Sequence, residues 1–148
     1  MEIESTPIIN SEFCKVVVPV IDSAIVKVDI MMFKWDFDKS GENKNLKMLN
    51  DAIFAAAARG VSVRVITNDL LARRALTKPN IKARGYITPG IMHSKLLMID
   101  EKHLIMGSHN FTSPGLGLNV ETSILIKNCD CIDKLTGFFN TLFEHGAN

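Results

Sequence analysis

The chain is short of cysteine, of net charge and of uninterrupted apolar sequence, and each shortage removes a class of protein. Its three cysteines, Cys14, Cys129 and Cys131, are an odd number, and the Cys-x-Cys pair has no matching His or Cys cluster at zinc-ligand spacing. Free, reduced thiols in a cytoplasmic protein are therefore expected, with no metal centre and no cofactor. The apolar stretch from Val16 to Phe33 is broken by Asp22, Lys27 and Asp29, so it reads neither as a membrane span nor as a signal sequence. The N-terminal Met1-Glu2-Ile3-Glu4 has no basic leader. No internal repeat or low-complexity tract is visible. Net charge is only +1, so affinity for a polyanion has to come from a local patch.

What is present is the composition of an ordinary globular protein, 47% hydrophobic and 22% charged over 148 residues. That length fits one domain covering 1–148, with enough chain for a core. Phe13, Val16, Val17, Val20, Ile21 and Ala24 follow helical spacing, with Pro19 expected to kink the helix. Val26, Val28, Ile30 and Met32 alternate with Lys27 and Asp29, as in a strand. Positions 36–45 are polar and glycine-containing, a loop. Leu46, Leu49, Ile53, Phe54 and Ala57 share a helix face that Gly60 ends. A strand is expected over 61–67, a short helix over 70–77 and a strand near 82–86. Further on come a hairpin around 92–106, a strand over 120–127 and a C-terminal helix carrying Ile132, Leu135, Phe138, Phe139, Leu142 and Phe143. Helices and strands alternate and then strands cluster. The fold class is α/β, a mixed β-sheet flanked by helices.

One block carries chemistry: His93-x-Lys95, then Asp100, then Gly107-Ser108-x-Asn110. On a strand over 92–99, His93 and Lys95 are two apart and point to the same side. Glu101-Lys102 reads as a turn, and the returning strand brings Ser108 and Asn110 back towards them. A neutral imidazole can attack phosphorus and form a covalent intermediate. A protonated one can give a proton to the leaving oxygen. Lys95 offers positive charge to non-bridging oxygens, Ser108 and Asn110 can donate hydrogen bonds to them, and Gly107 lets backbone approach closely.

The spacing resembles the HKD signature of the phospholipase D superfamily and matches it at every defining position. The resemblance implies a phospholipase D-like fold and a metal-independent phosphodiesterase acting through a phosphohistidine. It places Asp100 in a supporting electrostatic and structural role, away from substrate. It also matches Glu121 to a carboxylate that hydrogen-bonds and orients the motif histidine. The chain holds one motif, since none of His103, His109 and His145 has a lysine two residues later. Short members of the family form homodimers with the active site across the two-fold axis, so His93 of one chain is expected to face His93 of another. The chain departs from the family at Pro19 and in the polar loop after the first strand, which borders the substrate cleft in this fold.

The substrate is less legible. Arg73, Arg74, Lys78, Lys82 and Arg84 put five positive charges in twelve residues with no acid between them, a pattern that can follow a phosphate backbone. Trp35 and Phe37 can stack on a base, lie on lipid or be core, the last favoured for Phe37. The first reading is a sequence-nonspecific endonuclease acting on DNA or RNA, which could be the cutting part of a larger defence or repair assembly. Two rivals stay open: a phospholipase or phosphatidyl transferase using the same residues, and a nucleic-acid-binding or partner-binding module without turnover.

Overall fold

The computed structural model describes residues 1–148. Seven strands and five α-helices follow in the order β1 (Glu4–Ile9), α1 (Phe13–Asp22), β2 (Lys27–Met32), α2 (Lys44–Ala58), β3 (Ser62–Ile66), α3 (Leu70–Ala75), β4 (Ile81–Arg84), β5 (Lys95–Ile99), β6 (His103–Gly107), α4 (Ser113–Leu116), β7 (Thr122–Lys127) and α5 (Cys131–Glu144). All seven strands join one mixed sheet in the order β1-β7-β6-β5-β2-β3-β4. β2, β3 and β4 are parallel, and the remaining pairs are antiparallel.

Helices cover both faces, so the central strands are buried on both sides. Val28, Ile30 and Met32 of β2 face the larger core with Val17 and Ile21 of α1 and Leu49 and Ile53 of α2. Met31 faces the smaller core, closed by Ile132, Phe139 and Phe143 of α5. Asp29 shares that second face and is 1% exposed. It survives there because Arg64 of β3 grips it with two bonds of 2.8 Å and passes a third, 2.9 Å, to Asn140 of α5. Local chemistry sets the helix starts. Asn43 accepts the Leu46 N–H at 2.8 Å to open α2, Asp69 accepts the Ala72 N–H at 3.1 Å to open α3, and Gly60 at φ 98° turns the chain after α2.

Two features depart from the sequence reading, the first strand and the state of the cysteine pair. A strand precedes the first helix: β1 pairs with β7 from Glu4↔Lys127 to Ile9↔Thr122 at the sheet edge, where Pro7 is tolerated. The first helix itself forms as expected, α1 holding Pro19 on its exposed side. Cys129 and Cys131, expected as free thiols, are joined by a disulfide at the start of α5. Only two residues of separation are needed, with the Cα atoms 5.1 Å apart. Cys14 is the one free cysteine, its thiol pushed up to about 11 by burial.

Candidate active site

The sheet gathers the motif at one end. β2 and β6 finish there while β5 and β7 begin, so Met32 pairs with Lys95 and Gly107 with Ser123. Gly107 admits nothing larger, because a Cβ would collide with the Thr122 carbonyl oxygen and with Ser123 Cα. The strand carrying the motif starts at Lys95 and not at Met92. β2 has ended at Met32, and nothing remains for His93 or Ser94 to pair with.

His93 therefore leaves the sheet exposed, yet its ring meets Lys95. The Lys95 Nζ lies 3.2 Å from Nδ1 and 3.3 Å from Nε2, and donates to the His93 carbonyl at 3.0 Å. Phe33, one residue past β2, supports both groups. Its ring centroid is 4.6 Å from that of His93 and 5.3 Å from Lys95 Nζ, and Lys34 Nζ approaches the same ring at 5.1 Å. Burial pushes the Lys95 ammonium below the ordinary lysine range, and the charge of Glu121 pulls it back up.

Ser108 and Asn110 reach this end with their acceptors already used. Ser108 Oγ accepts the Thr122 N–H at 3.0 Å, which leaves its hydroxyl proton free to donate. Asn110 Oδ1 accepts the Lys34 N–H at 3.2 Å, which leaves the amide NH2 free to donate. Asp100 sits at the opposite end of β5, in a turn where both it and Glu101 have positive φ, 53° and 56°. Its carboxylate accepts the N–H groups of Ile25, Val26 and Lys27 at 2.9, 2.8 and 2.9 Å. Partial burial works to raise its pKa, but those three donors and the charge of Lys102 outweigh it and hold the carboxyl below the usual range.

The expected hydrogen bond from Glu121 to His93 is not made within the chain. The Glu121 backbone is pinned by Asn10, which accepts its N–H at 3.1 Å through Oδ1 and donates to its carbonyl at 2.9 Å. Asn10 also receives His109 Nε2 on its own carbonyl at 2.8 Å, while His109 Nδ1 accepts from Ser123 Oγ at 2.6 Å. That buried histidine is structural. Burial first, and then the charge of Lys127, push the His103 imidazole below the ordinary histidine range. Sequence reasoning missed Phe33, Lys34 and Asn10. The only local signal was an aromatic and a cation directly after a strand.

Trp35, read as able to contact nucleic acid, is core and 1% exposed. Its Nε1 donates to Asn50 Oδ1 at 2.8 Å, and its ring meets Phe111 edge-on and stacks on the half-buried Phe37. The polar loop lies beside α4, where Asn43 Nδ2 donates to Ser113 Oγ, and Asp38 ties it internally. All five cations from Arg73 to Arg84 line one groove between α3 and β4. Arg73 and Arg84 each spend one bond of 2.7 Å on a carbonyl, of Thr67 and Phe143 respectively, while Arg74, Lys78 and Lys82 are exposed. No three His, Cys, Asp or Glu side chains converge as metal ligands. No helix is long and apolar enough to cross a membrane.

A family model described as cardiolipin synthase, PLD-like domain, matches residues 17–143. A phospholipase D of Rickettsia bellii is 32% identical over 93 residues, 59% of this chain and 46% of that protein. The chain thus spans about half the length or less of the curated relatives it matches. Among solved structures, NucT from Helicobacter pylori superposes with a TM-score of 0.82 at 19% identity, covering 99% of each chain. Nuc from Salmonella typhimurium, a phospholipase D family member, gives 0.77 at 21% identity, covering 98% of this chain and 97% of its own. At those identities the two structures show the fold.

Proposed function

Because the chain belongs to the phospholipase D superfamily, we propose that it is a metal-independent phosphodiesterase that cuts nucleic acid as a homodimer. The observation that carries this reading is the contact of His93 with Lys95 at the same end of the sheet as Ser108 and Asn110, two side chains that keep donors to spare. A ring nitrogen of His93 attacks phosphorus, forming a P–N bond and breaking the P–O bond to the leaving group. The leaving oxygen takes a proton from the protonated His93 of a second chain. That imidazole then takes a proton from water as the water oxygen attacks phosphorus, and the P–N bond breaks. Lys95, Ser108 and Asn110 stabilise the charge on the non-bridging oxygens at each step. The charge of Glu121 favours the Lys95 ammonium against the effect of burial.

A single chain supplies only one such histidine, which supports the dimer. So do four exposed apolar side chains on the loops leading to His93 and Glu121: Ile87, Ile91, Leu118 and Val120, from 68% to 98% exposed. The basic groove without acids supports a nucleic acid over a lipid. The likeness to Nuc and NucT also runs over nearly the whole chain, whereas less than half of the Rickettsia phospholipase D is matched.

The same four side chains favour the second reading, in which the rim rests on lipid and the substrate is a phospholipid. The test is an assay in EDTA of the wild type and His93→Ala on single-stranded DNA, duplex DNA, RNA and vesicles of phosphatidylcholine or cardiolipin. Cleavage of nucleic acid that His93→Ala abolishes is expected. Cleavage of lipid alone would select the second reading, and activity that EDTA removes and a metal restores would end the mechanism. Ile87→Glu with Leu118→Glu separates the two roles of the rim. A catalytic dimer interface loses turnover of soluble diesters as well, whereas a lipid-facing rim loses only vesicles.

A further inference from the structure

The site around His93 does not end at the motif. A cleft of about 550 Å³ begins at Phe33 and Met92, immediately beside His93, and extends to Asn68 and Tyr86. A second depression of about 350 Å³ shares Asn68, Tyr86 and Ile87 with it. That one in turn shares Arg73 with the groove of about 750 Å³ between α3 and β4, which holds Arg74, Lys78, Lys82 and Arg84. The three therefore form one track along the surface.

Charge along the track is one-sided. Its only acidic side chain is Asp69, and that carboxylate is committed to the start of α3. Arg74, Lys78 and Lys82 form no ion pair. Arg73 and Arg84 are oriented by neutral carbonyls, which leave their charge in place. Half-buried Tyr86 is present in both the cleft and the second depression, a ring on which a base can stack. β5, β2, β3 and β4 are successive neighbours, so at about 4.8 Å per strand the groove lies roughly 15 Å from the motif. At about 3.4 Å per phosphate that is about four nucleotides of stacked strand. A phospholipid with its phosphate at His93 has no second phosphate that far away.

We infer that this track binds one strand of nucleic acid, with the scissile phosphate at His93 and phosphates about four nucleotides away on Arg74, Lys78 and Lys82. This rests on the nuclease reading for its substrate class and adds the path and the minimum length. The test is binding by the His93→Ala protein, which keeps the ligand intact, of fluorescent oligothymidylates of 4 and 20 nucleotides across a salt series. The comparison is the same protein carrying Arg74→Ala, Lys78→Ala and Lys82→Ala together, all three exposed. The longer strand should bind at least tenfold more tightly than the shorter, and the triple variant should reduce that advantage to under threefold. The slope of log Kd against log salt should fall by about 2, at about 0.7 for each phosphate of a single strand that is no longer neutralised.

Equal affinity at both lengths, or a salt slope the triple variant leaves alone, would overturn the track. So would a loss of binding confined to cardiolipin vesicles. Cleavage by the wild type in EDTA separates this from the reading beneath it. Length-dependent binding without cleavage keeps the track and removes the nuclease, and cleavage without length dependence does the reverse.

Discussion

The two ends of β5 treat hydrogen bonds in opposite ways. At the Asp100 end both carboxylate oxygens are filled by the Ile25, Val26 and Lys27 N–H groups, which tie the hairpin to the first turn of β2. At the His93 end the imidazole is exposed, and the Ser108 hydroxyl and Asn110 amide have donors left over. Residues of one motif, seven positions apart at the two ends of a strand, thus divide into scaffold and chemistry. What separates them is whether their polar atoms are already satisfied inside the chain. A carboxylate already holding three backbone donors has little left to offer a ligand. An ammonium wedged against a ring and an imidazole still needs an anion.

The sharpest break in this comparison is at His93. His93→Ala should cut turnover by about 10^4-fold or more, the scale on which loss of a nucleophile acts, while the melting temperature moves little because the side chain is exposed. Lys95→Ala should cost about 10²–10³-fold, as removal of one stabilising group does. Parallel kinetics and thermal melts check both. A melting temperature that falls together with the rate would show that this end is also scaffold.

Asp100→Ala tests the other end and should give the reverse pattern. Three charge-assisted bonds are removed, two of them to exposed N–H groups that water can take over. Alanine is also disfavoured at φ 53°. A loss of about 3 kcal/mol is expected, which lowers the melting point by about 6–12 °C for a chain of this size. Since the folded-state pKa of Asp100 lies below its unfolded value, its contribution is present above the unfolded pKa and is lost as pH falls through the folded one. Denaturant titrations from neutral pH into acid should show a step in the wild type that Asp100→Asn lacks. Turnover per folded molecule should change by less than about threefold, within a fraction of one kcal/mol.

Much of this division was legible in the sequence because it is local. The spacing from His93 to Asn110, the turn after Asp100 and the apolar run through 96–99 are short-range patterns, and they locate the hairpin and its motif. What was illegible depends on partners far away in the chain. β1 carries Pro7 and no buried residue before Ile8, and the strand it pairs with is β7, more than a hundred residues later. Trp35 follows a strand as readily as Phe33 does. Only Asn50 on α2 and Phe111 after β6 decide that the indole is core while Phe33 faces the site. Asp29 reads as an ordinary polar position of an alternating strand until α5 covers it. The five cations are a linear cluster in sequence, but that Arg73 and Arg84 are anchored while Arg74, Lys78 and Lys82 are free is set by Thr67 and Phe143.

The smallest expected effect lies between the two ends, at Glu121, whose carboxylate bonds neither to backbone nor to His93 and acts through charge. Burial lowers the Lys95 pKa and Glu121 partly restores it. Removing the negative charge with Glu121→Gln therefore lowers that pKa further, and the ammonium is lost at a lower pH. In a pH–rate profile the alkaline limb should move down, while the rate near neutrality falls by less than about tenfold, or 1.4 kcal/mol. A shift of the acid limb instead would mean that the carboxylate acts on His93, as a hydrogen-bonded partner stabilising the imidazolium would. That outcome would place Glu121 across the two-fold axis from the histidine it serves, because within one chain the bond is not made.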